Sequence, residues 1–201
     1  MPLHCGAHSR KIPPGTIRCR GGLSVSCEDE PLTSADQAIR AQLIVPEQRE
    51  LFDYWRAKAA GGAYPTRADI QPAELRSVLP SLSLLDIDGE TGAQRLRVRL
   101  AGTRLRDYYG IEITGRYLDE FDLGDQADYW SAAYREVIHA GRPAQGVIAL
   151  VPWNQPNIFQ FWLRLPLADG QGRIVMVLGH DAFLQSEKAH ALAGKANLRI
   201  A

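Results

Sequence analysis

Residues 82–102, LSLLDIDGETGAQRLRVRLAG, decide the fold. Leu82–Ile87 is a short, mostly apolar run that suits a strand. Asp88-Gly89-Glu90-Thr91-Gly92 then supplies residues that turn the chain. Arg95-Leu96-Arg97-Val98-Arg99-Leu100 alternates strictly, which puts arginines on one face of a strand and aliphatics on the other. Two such runs around one turn predict an antiparallel hairpin. The arginine row would suit an anionic ligand, but a solvated sheet face explains it more simply.

Downstream of the hairpin the period changes from two to 3.6. Thr103 caps a predicted helix over Arg104–Tyr109, and Gly110 ends it. Leu105, Tyr108 and Tyr109 share its inner face. Thr114 caps a turn carrying Leu118 and Phe121. Over Gln126–Ala140, Trp130, Ala133, Tyr134, Val137 and Ile138 recur at helical spacing, and Gly141 follows. Three strands are then expected at Val147–Trp153, Ile158–Leu167 and Arg173–Phe183, with Asp169-Gly170-Gln171-Gly172 turning the last two. Within the middle strand Phe159, Phe161, Leu163 and Leu165 face one way, inward. Gln160, Trp162 and Arg164 face the other, outer way.

Upstream, Pro46–Ala60 reads as a helix with proline at its first position and Gly61-Gly62 after it. Its Leu51, Phe52, Trp55 and Ala59 form an apolar stripe that needs a surface. Trp162, large and on the polar face of its strand, also needs a cover. The expectation is that this helix lies across the outer face of the sheet, its own or a partner's. Leu51, Phe52, Trp55 and Trp162 are then the interface residues of a homodimer. Residues 1–44 lack periodicity and read as an irregular or disordered tail, and 185–201 as a short C-terminal tail, which leaves one domain over 45–184.

The 23 basic and 23 acidic residues cancel, so nothing draws the chain broadly to nucleic acid or anionic membrane. No apolar run reaches the ~20 residues that span a bilayer, and residues 1–20 lack the apolar core of a secretory signal. A cytoplasmic location is the default expectation. The three cysteines, Cys5, Cys19 and Cys27, precede the domain and lack the close pairing of structural zinc ligands. No metal site is expected.

The element order and several local runs resemble the PAS family, specifically its short single-domain alphaproteobacterial members. The matching runs are Asp69–Leu75, Leu79-Pro80, Leu84-Leu85-Asp86, Arg99–Thr103 and Thr114-Gly115-Arg116. The resemblance implies an α+β fold: a five-stranded antiparallel sheet in spatial order 2-1-5-4-3 with helices on one face. It also implies a sensory or regulatory role through small-molecule binding, a protein partner and homodimerisation. Two departures bear on cofactors. The flavin-photosensor cysteine motif is absent, and no cysteine follows Cys27, which removes a flavin–cysteinyl adduct. Haem-binding relatives use a histidine on the long helix; here His139 falls about 180° from the apolar stripe, pointing out. The cofactor is left unassigned.

Catalytic signatures such as GxSxG, a P-loop, HExxH and GxGxxG are absent, so no enzyme is expected. His180-Asp181 is the nearest thing to an acid–base pair, but strand neighbours point to opposite faces. The candidate ligand contacts are the aromatics expected between helices and sheet: Tyr108, Tyr117, Trp130, Tyr134 and Phe161. Aromatics of this kind also simply fill cores. Two rival readings therefore stand beside a sensor without its own output domain: a structural dimerisation adaptor with a filled core, and a small α+β enzyme using the aromatic pocket.

Overall fold

Leu82–Asp88 (β1) and Arg95–Ala101 (β2) pair antiparallel as the expected hairpin. The computed structural model describes residues 34–59, 64–90, 92–150 and 155–195. The cysteines, the stretch expected to be irregular up to Leu32, and the end of the expected third strand (Val151–Trp153) lie outside them. Three further strands, Ala144–Leu150 (β3), Gln155–Ala168 (β4) and Ile174–Gln185 (β5), complete one antiparallel sheet in the order β2-β1-β5-β4-β3. That is the α+β topology the resemblance implies.

Thr103–Tyr109 (α3) and Ala127–His139 (α4) cover the inner face. Gly102, not Thr103, stands at the cap of α3, and no side chain caps it. A side chain at 102 would press into the carbonyl oxygens of Pro80 and Leu79, so glycine is required by close approach. Gly110 closes α3 at φ 72°, the left-handed conformation expected of a glycine after a helix.

The outer face carries three helices: Ser34–Gln42 (α1), Pro46–Lys58 (α2) and Ser186–Lys195 (α5). Two of them correct the reading of the tails. Part of 1–44 is helical, and a helix from Ser186 follows β5 directly within 185–201. The α1 helix is short and carries no buried residue. It is tied to α2 by charge: Arg40 reaches Asp53 at 2.6 Å and Arg56 reaches Asp36 at 3.1 Å. In α5 the buried positions are Ala189 and Ala193, small residues that let it settle on Phe159 and Phe161.

Leu51, Phe52 and Trp55 of α2 are buried against Leu163, Leu165 and Leu167 of the same chain. Their burial contributes on the order of 5 kcal/mol before ordering costs. Gln48 donates to the Phe161 carbonyl and the Trp55 indole to the Pro166 carbonyl, both at 2.9 Å, which fixes the helix on β4. These three residues are therefore part of this chain's own core and unavailable to a partner.

β4 alternates as expected, but its two faces are exchanged. Phe159, Phe161, Leu163 and Leu165 lie outside, beneath α2 and α5. Gln160, Trp162 and Arg164 point inward, toward α4 and α3. The physical reason is that both faces are covered, so polarity does not mark the solvent side. The outer layer is the drier one, and the inner polar groups pair among themselves. A second departure sits in β2. A bulge opposite Leu84–Leu85 turns Leu100 onto the outer face, where it is 48% exposed.

Candidate functional site

Between the inner face of the sheet and the helices lies a cavity of about 550 Å³. Its walls are mostly apolar. Leu85, Leu96 and Val98 come from the sheet, Leu105 and Tyr109 from α3, Phe121 from the segment after it, and Trp130, Tyr134 and Ile138 from α4. The volume falls within the roughly 300–1,000 Å³ typical of small-molecule sites. Ser131, Arg135 and His139 of α4 and the pair Arg95–Asp119 bound it where side chains are exposed. The helical period explains the division along α4: Trp130, Tyr134 and Ile138 turn toward the cavity, while Ser131, Arg135 and His139 lie one residue further round.

The floor is polar and buried. Arg164 of β4 is 4% exposed and Asp181 of β5 is 0% exposed, and they form an ion pair at 2.8 Å. A second guanidinium nitrogen lies 3.2 Å from the other carboxylate oxygen, so the pair is bidentate. Arg164 Nε donates to the Tyr134 hydroxyl at 3.0 Å, and Nη1 reaches the carbonyls of Leu163 and His180. The Gln160 amide nitrogen donates to Asp181 and to the Tyr109 hydroxyl, both at 2.7 Å. Ser83 of β1 completes this surface.

The electrostatics follow from that packing. Burial opposes the charge on Arg164, but Asp181 outweighs it and holds the guanidinium above its ordinary pKa. Burial pushes the Tyr109 hydroxyl well above the usual tyrosine value, and raises Tyr134 as well. All of these hold one protonation state near neutral pH. The guanidinium also sits 5.2 Å from the centre of the Trp130 ring and 5.7 Å from that of Trp162.

Of the five aromatics expected to contact a ligand, Trp130 and Tyr134 line the cavity. Tyr108 instead stacks on Phe183, ring centres 4.3 Å apart, beside the cavity. Tyr117 lies along the far edge of β2, bridged to Arg97. Its hydroxyl donates to Asp88, and the Arg95 guanidinium covers its ring at 3.8 Å. Phe161 is on the opposite side of the sheet, for the reason given above. Trp162, expected to receive α2, instead packs against Trp130 and donates to the Tyr129 hydroxyl at 3.0 Å. His139 is exposed as expected, yet it borders the cavity.

Gln160, Arg164, Asp181 and Ser83 were not among the expected site residues. The signal for them was present in the alternation of β4. Gln160 and Arg164 share a face with a tryptophan, a combination that a solvated strand surface does not need. Asp181 was visible only as half of a strand dipeptide. Its partner His180 does point the other way, 2% exposed under the outer helices, and its Nδ1 has no hydrogen-bond partner among the described residues. No group of three metal-ligating side chains occurs among the described residues, and no described helix is long and apolar enough to cross a membrane.

No curated protein matches the chain. Solved structures that resemble it include the light state of the blue-light photoreceptor Aureochrome1 LOV domain, at 15% identity. That match covers 62% of this chain and 97% of the other, with a TM-score of 0.45. A LOV protein of Rhodobacter sphaeroides is 17% identical over 66% of this chain and 86% of its own, TM-score 0.43. A PAS domain from Colwellia psychrerythraea is 9% identical over 56% and 96%, TM-score 0.43. The PAS domain family model matches residues 44–180, which takes in α2, the whole hairpin, the cavity helices and all but the end of β5. The chain belongs to the PAS domain family.

Proposed function

We propose that the chain is a sensory module in which a small molecule occupying the inner cavity regulates a protein partner. One observation carries this reading: about 550 Å³ of space lies over a floor of buried, mutually bonded polar groups. A domain that served only as scaffold would gain stability by filling such a space with side chains. That consideration weighs against an adaptor with a filled core. Against the enzyme reading, the buried ionisable groups of the floor bond to one another instead of converging on an open position. The balanced charge of the chain favours a protein partner over nucleic acid or membrane, in a cytoplasmic setting. Any homodimer would use a surface other than Leu51, Phe52, Trp55 and Trp162, since their own chain buries all four.

The test is native mass spectrometry of the protein purified from its own cells, followed by denaturation of the same sample. A mass released on denaturation, and lost when the cavity is filled by Ile138→Trp, supports the reading. An unliganded protein that also binds none of the small-molecule probes named below sinks it.

A further inference from the structure

We infer that the molecule entering the cavity is a flat aromatic compound whose buried end is uncharged and carries both a hydrogen-bond donor and an acceptor, as an amide does. This rests on the small-molecule reading above. A buried arginine would ordinarily suggest a carboxylate ligand. Here its charge is already taken. Asp181 holds the guanidinium by two contacts, and the remaining donations go to Tyr134 and to backbone carbonyls. A ligand carboxylate at this floor would place two anions beside one cation where water is excluded. A ligand ammonium group would meet a carboxylate whose charge Arg164 already balances.

Three neutral groups remain toward the space. Tyr134 accepts from Arg164 and keeps its own hydroxyl proton to donate. Gln160 uses its amide nitrogen twice and keeps its carbonyl oxygen to accept. The Ser83 hydroxyl makes no side-chain hydrogen bond among the described residues. A side chain at Gly179 would press into that hydroxyl and come 3.1 Å from Arg164 Nη1, so glycine there keeps the floor flat and open. Trp130 and Phe121 stand over it with the aliphatic wall, which suits the face of an aromatic ring. An amide edge meets these groups without leaving either partner unsatisfied.

The experiment compares benzamide with benzoate, near-isosteres that differ in charge, by calorimetry and thermal melting of the full chain at pH 7.5. Benzamide is expected to bind in the millimolar range or tighter and to shift the Gln160 side-chain amide signal in NMR spectra. Benzoate is expected to bind on the order of tenfold more weakly or worse. Ile138→Trp, judged folded by its melting transition, should lose benzamide binding. Equal or tighter binding of benzoate overturns the inference, as does benzamide binding that leaves the Gln160 signal unmoved. Failure of both probes, together with indole as an uncharged aromatic control, counts against the small-molecule reading itself.

Discussion

Arg164 and Asp181 are diagonal neighbours on adjacent strands: Asp181 pairs in register with Trp162, two residues before Arg164, and the two side chains lean together to 2.8 Å. Their meeting point lies beneath the cavity and above the outer hydrophobic layer, so neither charge has water to fall back on. Asp181→Asn should therefore cost about 3–5 kcal/mol, because it strands a buried guanidinium. The double variant Arg164→Met/Asp181→Leu should lose less than Asp181→Asn alone. Urea denaturation of the three proteins measures this. A double variant that loses as much as Asp181→Asn, or more, would mean that the two charges are not coupled.

The α2 helix gives a second expectation. Trp55 is 3% exposed and anchored to the Pro166 carbonyl, all within one chain. Trp55→Ala should cost about 3–5 kcal/mol through the cavity it leaves, and the lost indole hydrogen bond adds to this. Leu100→Ala, at an exposed position, should stay within about 0.5 kcal/mol of wild type. The sedimentation coefficient of any Trp55→Ala protein that remains folded should equal wild type. A dissociation of dimer to monomer on this change would mean that α2 serves a partner after all.

The sequence of elements was legible because it rests on periodicity, and periodicity is local; the order of strands in the sheet came from the family resemblance. The alternation over Arg95–Val98, the α4 stripe and the proline start of α2 each mark one side of one element and keep that form in the fold, whereas the bulge in β2 breaks the alternation at Leu100. The identity of the faces was not legible. Whether Trp162 looks to α2 or to α4 depends on what covers each side, and one cover, α5, buries only small residues such as Ala189 and Ala193 that leave a faint pattern. The Arg164–Asp181 pair was hidden for a related reason. Its two members are 17 residues apart, and only the register of β4 on β5 brings them together. Trp130 and Tyr134 were found because helix period and site coincide on α4.

His180 supplies the pH dependence. It lies on the outer face, pairing in register with Leu163 and Leu82. Burial lowers its pKa to about 4; Asp181 and Glu47 of α2 push it up, and Arg164 and Arg104 of α3 push it down. The folded state thus holds it neutral where the unfolded chain, with an ordinary histidine, takes a proton near pH 6.5. Its contribution is fully present above that value and is lost as pH falls toward 4, on the order of 3 kcal/mol in all. His180→Leu should flatten this part of the stability profile between pH 6.5 and 4 while costing little at pH 8, since Nδ1 is unpartnered. Denaturation curves at pH 8, 6 and 4.5 decide it. An unchanged slope in the variant would assign the acid sensitivity to other groups.

Gly146 makes the sharpest packing test. It sits on β3 opposite Trp162, and a Cβ there would press into the Tyr129 hydroxyl and stand 2.7 Å from the Trp162 ring. Trp162 cannot retreat, because Trp130 lies against it with ring centres 5.2 Å apart and its indole is held by Tyr129. Gly146→Ala must therefore press Trp162 toward Trp130, which lines the cavity, at about 1–3 kcal/mol. Gly170→Ala adds the same methyl group in the β4–β5 turn, where nothing lies within 4 Å and φ is ordinary. It should be neutral or slightly stabilising, because it removes freedom only from the unfolded chain. If the cavity is the ligand site, Gly146→Ala should also weaken benzamide binding, whereas Gly170→Ala should leave it unchanged. Matching melting temperatures for the two variants would show that Trp162 has room to shift, and that the wall of the cavity is softer than its packing implies.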